Sequence, residues 1–69
     1  MQEKISSERA LKIAEECCKQ QGWEWKDAAI TEEKDFWFVL TNRHYRGGNA
    51  LIYIDKQTGK VLKKMFNDR

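Results

Sequence analysis

The chain contains no proline, and its only histidine is His44. Turns must therefore rest on glycine and polar residues rather than on a fixed pyrrolidine φ. One histidine with no further ligand at zinc-type spacing leaves no metal motif, so no metal or cofactor is expected. The two cysteines are the neighbours Cys17 and Cys18. A disulfide between adjacent residues is strained and closes no loop, which excludes a secreted disulfide scaffold. Two reduced thiols on or near a helix core face are expected instead. No apolar run approaches the ~20 residues needed to cross a bilayer. The amino terminus, MQEKISSERA, has no apolar h-region. With Met1 taken as the start, the expectation is a cytoplasmic protein with no membrane segment. Repeats and low-complexity tracts are also missing. So is a phosphate-binding loop: Gly47-Gly48 has no Lys-Ser/Thr context and no helix to follow it.

What remains is a single domain of 69 residues. It is polar, with 35% charged residues and a mean hydropathy of −0.83, and stability of only a few kcal/mol is expected at this size. Its net charge of +2 is unevenly spread. Between residues 23 and 42, two lysines face five carboxylates; between 43 and 69, seven cations face two. One end is acidic and the other basic, a polarity that can steer a partner but does not dictate a fold.

Residues 6–21 have helical periodicity. Ala10, Leu11, Ile13, Ala14, Cys17 and Cys18 fall within an arc of roughly 160°, and charged residues fill the rest. Ser6 or Ser7 can cap the first turn, and Gly22 can take the left-handed position after the last. Glu8–Lys12 and Glu15–Lys19 are i,i+4 pairs in the favourable order. Beyond Gly22 the period becomes strand-like. Strands are expected at about 24–31, 36–42, 50–55 and 60–66, with a loop containing Gly47-Gly48 and a tight hairpin at Gly59. The predicted class is α+β: an N-terminal amphipathic helix packed on one face of a three- or four-stranded antiparallel meander.

One helix covers one sheet face, yet the strands carry apolar residues on both. Phe36, Phe38 and Leu40 point one way, Trp37 and Val39 the other. The expected helix-facing set is Phe36, Phe38 and Leu40. Trp37 would then lie outward and, with Val39, Leu51 and Tyr53, form a protein-contact surface for a partner or a second copy. A competing intramolecular cover is the Trp23–Trp25 segment or Met65-Phe66.

Chemistry is sparse. Cys17 or Cys18 with His44 is the only Cys/His option, and helix periodicity already accounts for the thiols. No catalytic residues are expected. A single-stranded nucleic-acid interface built from Arg43, Tyr45, Arg46, Lys63 and Lys64 is the alternative binding class, because basic edges around sheet aromatics suit stacked bases. Against it stand the modest pI of about 8.6 and the acidic middle of the chain.

Three segments carry a family resemblance. The helix Ala10-Leu-Lys-Ile-Ala14, the aromatic strand Trp37–Val39 and the hairpin Ile52-Tyr-Ile-Asp-Lys-Gln-Thr-Gly-Lys-Val-Leu62 together resemble PepSY-like domains. They look equally like small immunity proteins of bacterial polymorphic toxin systems. The resemblance runs from about Ser7 to Leu62. It implies a helix-plus-meander fold, no catalytic residues and a protein partner: a toxin in one case, a peptidase or sensor in the other. PepSY-like domains are typically extracytoplasmic, so the missing export signal favours the immunity reading. Gly47-Gly48-Asn49 stands where several immunity families carry a Gly-rich element that often includes proline.

Overall fold

A computed structural model describes residues 4–44 and 47–67. Helix α1 spans Ser7–Gln21, and four strands follow: β1 Ala29–Glu32, β2 Phe36–Leu40, β3 Asn49–Asp55 and β4 Val61–Asn67. All adjacent strands pair antiparallel in the order β1-β2-β3-β4, so the predicted α+β meander is the fold.

The helix ends follow the sequence closely. Ser6 is extended and its hydroxyl accepts from the Arg9 amide at 3.1 Å. Gly22 takes φ 76°, and the Trp23 and Gly22 amides donate to the Cys18 and Lys19 carbonyls. That is a Schellman stop, which a β-carbon at Gly22 would strain. The helix face turned to the sheet carries Ala10, Ala14, Cys17 and Cys18, all buried. Short side chains bring the helix close to the sheet, where Val39, Ile52 and Ile54 are fully buried opposite them.

The expected strand at 24–31 is shorter than its pattern suggested. Asp27 sits at φ 49° and the Lys26 carbonyl is taken by the Asn42 amide, so pairing starts only at Ala29. Trp23 and Trp25 lie in the connection and pack against the helix-side core. Trp23 also stacks on Phe66, with ring centroids 5.3 Å apart and planes 17° apart.

The last hairpin is a self-satisfied turn. One Asp55 oxygen accepts from the Gln57 and Thr58 amides, and the Thr58 hydroxyl accepts from the Lys60 amide. Those backbone donors hold the Asp55 carboxyl below its usual range. Gly59 adopts φ 77°, and a β-carbon there would stand 3.2 Å from Ile13 Cδ1. Both its torsion and its space thus call for glycine.

The register sets the faces. On the helix side, one row runs Ile30, Val39, Ile52, Lys64 and another runs Trp37, Ile54, Val61. On the other side, one row runs Thr31, Phe38, Tyr53, Lys63 and another runs Ala29, Leu40, Leu51, Met65. A bulge opposite Tyr53 and Ile54 makes Leu62 the extra residue of β4.

This corrects the expected facing. Trp37 and Val39 belong to the core beneath the helix, while Phe36, Phe38 and Leu40 lie on the outer face. The reason is visible at Trp37: its indole N–H donates to the Ile5 carbonyl at 3.2 Å, and its ring lies 5.4 Å from the Lys56 ammonium. A part-buried indole gains from a partner for its N–H, and on the helix side the Ile5 carbonyl supplies it. The four expected contact residues therefore divide, Leu51 and Tyr53 outside and Trp37 and Val39 inside.

Candidate functional site

The outer sheet face is built from β2, β3 and β4. Tyr53 is its centre, with ring centroids 5.3 Å from Phe36 and 4.9 Å from Phe38, tilted at 55° and 42°. Leu40, Leu51 and Met65 extend the patch along the neighbouring row. None of these six side chains belongs to the core cluster or packs against it. Phe36, Phe38, Leu40, Leu51 and Tyr53 are half-buried and Met65 is exposed. Of the expected intramolecular cover, Trp23, Trp25 and Phe66 lie on the helix side, whereas Met65 lies on the outer face beside Leu51. Lys63, beside Tyr53, brings a cation to the patch, and the Asp55 carboxylate at its end is engaged in the turn. An antiparallel sheet normally keeps its wet face polar, so this patch departs from the pattern of an isolated domain.

Two polar clusters close the ends of the sheet, and sequence reasoning found neither. At one end, Lys56 is buried although charged, and its ammonium reaches the Glu32 carboxylate at 2.8 Å. The hydrogen bond and charge from Lys56 hold the largely exposed Glu32 carboxyl below its usual range. The Lys56 carbonyl accepts from the Ile5 amide at 2.7 Å. The segment before the helix is thus tied to the turn after β3. At the other end, Asn49 donates to the Thr41 and Asn42 carbonyls at 2.9 and 2.8 Å, and the Thr41 hydroxyl accepts from the Ala50 amide. Asn42, left-handed at φ 50°, donates to the Gly48 carbonyl at 2.8 Å and to Glu24. Among the described residues, no buried side-chain nitrogen or oxygen lacks a partner. The sequence signal for this knot was the Thr41-Asn42 and Asn49 pair flanking the glycines, since Asn tolerates left-handed backbone and closes loops.

The described residues of the expected nucleic-acid set are dispersed. Lys63 is on the outer face, Lys64 is on the helix side, and Arg43 is exposed in the loop after β2. Tyr45 and Arg46 lie outside the described residues. The outer-face rings pack tilted into one another rather than presenting open parallel platforms.

Cys17 and Cys18 are free and buried. Burial, with Cys17 and Glu15 nearby, pushes the Cys18 thiol up to about 11. A thiol held protonated is a poor nucleophile. His44 stands exposed in the loop after β2. Among the described residues, no group of three or more His, Cys, Asp or Glu side chains is placed to hold a metal, and no helix is long and apolar enough to cross a membrane. Comparison of the chain with family models, curated proteins and solved structures finds no match.

Proposed function

We propose that this domain is a non-enzymatic protein-binding module that docks through its outer sheet face, acting in the cytoplasm as a toxin-neutralising or peptidase-regulating protein. The observation that carries the reading is the outer-face patch of Phe36, Phe38, Leu40, Leu51, Tyr53 and Met65, which lies on the sheet face opposite the helix, half-buried except for the exposed Met65. Its make-up is that of an interface centre, aromatic and apolar. The toxin and peptidase partners come from the family resemblance of the helix and the Ile52–Leu62 hairpin.

The test pairs the purified protein with a toxin or peptidase encoded beside its gene, using isothermal titration calorimetry. Saturable binding that Phe38→Ser weakens at least about tenfold supports the module, since a central aromatic contributes on that scale. Absence of binding to such a neighbour, with the protein also monomeric by sedimentation velocity, refutes it.

A further inference from the structure

A second feature lies at the edge of the sheet rather than on its face. Among the described residues β4 pairs only with β3, which leaves one side of its seven-residue backbone as a sheet edge. All three exposed large hydrophobic residues among those described, Leu62, Met65 and Phe66, sit on this strand. An open groove of about 400 Å³ runs between α1 and β4, lined by Ile13, Glu16, Cys17, Gln20, Val61 and Lys64.

The charge of this edge is one-sided. From Lys56 to Asn67 the chain carries Lys56, Lys60, Lys63 and Lys64 and no carboxylate. Lys56 is buried against Glu32, whereas Lys60, Lys63 and Lys64 are exposed. The opposite edge strand, β1, ends in Glu32 and is followed by Glu33. The acidic and basic halves of the sequence thus become opposite edges of one sheet.

Lysines at the middle of an edge strand guard it against a second copy. A symmetric antiparallel β4–β4 pair centred on the strand sets Lys63 or Lys64 opposite itself, and like charges directly opposite are destabilising. The same lysines favour a strand that brings carboxylates. The order Val61-Leu62-Lys63-Lys64-Met65-Phe66 is apolar, apolar, cation, cation, apolar, apolar, and it reads alike from either end. Lys63 and Lys64 project to opposite faces, beside Tyr53 and Ile52 respectively.

We propose that β4 accepts an extended segment of a partner protein as a fifth strand, and that this segment carries two adjacent acidic residues flanked by apolar ones. Main-chain hydrogen bonds to the open edge supply the pairing, and the two lysines select the charge. Of its apolar side chains, those on the helix side meet the groove and those on the outer side extend the Tyr53 face. This rests on the reading of the domain as a protein-binding module and names the chemistry of its partner.

The probe is a fluorescein-labelled peptide with the core Ile-Val-Glu-Glu-Val-Ile between threonine flanks, titrated by fluorescence anisotropy at about 50 mM salt, where screening is weak. Two control peptides replace the Glu pair by Gln-Gln and by Lys-Lys. The Glu-Glu peptide is expected to bind about tenfold tighter than Gln-Gln, from two cross-strand ion pairs. A Lys63→Glu/Lys64→Glu protein, checked for unchanged circular dichroism, is expected to reverse the order and prefer Lys-Lys. Amide shifts on binding should centre on 61–67. Equal affinity for the three peptides overturns the proposal, as does a failure of the reversed protein to switch. A poly-thymidine oligonucleotide that binds the wild type as well as the Glu-Glu peptide also overturns it, marking a surface that collects any polyanion. Shifts confined to 36–40, 51 and 53 overturn the edge while leaving face docking intact. Loss of the module itself is registered separately, by the Phe38→Ser titration with the gene neighbour.

Discussion

Trp37 and Phe38 are neighbours in β2 that point to opposite faces, and truncating each should have different consequences. Trp37 is half-buried, with its N–H on the Ile5 carbonyl and its ring beside the Lys56 ammonium. A fully buried indole hides up to ~250 Å², so half of that at about 25 cal/mol/Å² is roughly 3 kcal/mol. The lost hydrogen bond adds about 1 kcal/mol. Trp37→Ala should therefore cost about 3–4 kcal/mol, within the range for large aromatic truncations. Trp37→Phe keeps most of the ring and should cost about 1–2 kcal/mol. Phe38→Ala removes a ring that is also half-buried, against Tyr53, but makes no hydrogen bond and lies on the face away from the core. Half of its area at the same rate gives about 2 kcal/mol. A domain of this length holds roughly 3–10 kcal/mol in all, so Trp37→Ala should shift the urea midpoint by a large fraction or abolish the transition. The assay is urea unfolding followed by far-ultraviolet circular dichroism. Equal losses for Trp37→Ala and Phe38→Ala, or a larger loss for Phe38→Ala, would refute the facing described above.

Other perturbations isolate single features. Gly22→Ala meets nothing within 4 Å and carries only the left-handed penalty of about 1 kcal/mol, whereas Gly59→Ala also presses on Ile13; chemical denaturation should rank Gly59→Ala as the more costly, and the reverse order would contradict the close approach. Asn49→Ala leaves the buried Thr41 and Asn42 carbonyls without their donor and should cost about 2–3 kcal/mol, with faster amide exchange at Gly47; unchanged exchange there would show that the loop does not depend on the knot. Stability should fall on both sides of neutrality. The lowered Glu32 and Asp55 carboxyls stabilise the fold above the ordinary carboxylate range, and that contribution fades as pH drops through their depressed values. The raised Cys18 thiol acts in the other direction: its contribution is complete below the ordinary thiol value of 9.0 and fades as pH rises toward about 11. Thermal midpoints against pH should therefore decline less steeply between those values in Cys18→Ala, and a decline that persists unchanged would assign it elsewhere.

The helix and the last hairpin were legible in the sequence because their signals are local. Ser6, Gly22 and Gly59 each do a job that a neighbouring backbone amide or torsion defines. The facing of β2 was not legible, because Phe36-Trp37-Phe38-Val39-Leu40 is apolar on both sides and alternation then carries no sign. That sign comes from across the sheet: Ala50, Ile52 and Ile54 of β3 are the fully buried set, and pairing to them draws Trp37 and Val39 inward. Small and β-branched residues on one side of β3, against Leu51 and Tyr53 on the other, were the available clue. Trp23–Lys26 alternated like a strand yet forms none, because Asp27 turns the chain and Asn42 takes the Lys26 carbonyl. The buried Lys56 left no sequence trace at all, since its partners Trp37 and Glu32 come from two other strands.

The most direct test of the outer-face reading is hydroxyl-radical footprinting of the protein alone and bound to the toxin or peptidase of its gene neighbourhood. Oxidation of Phe36, Phe38, Tyr53 and Met65 should drop several-fold on binding, while Trp37 and the α1 side chains stay unchanged. Protection confined to α1 or to the loop carrying Arg43 and His44, with the outer-face aromatics as reactive as before, would contradict it.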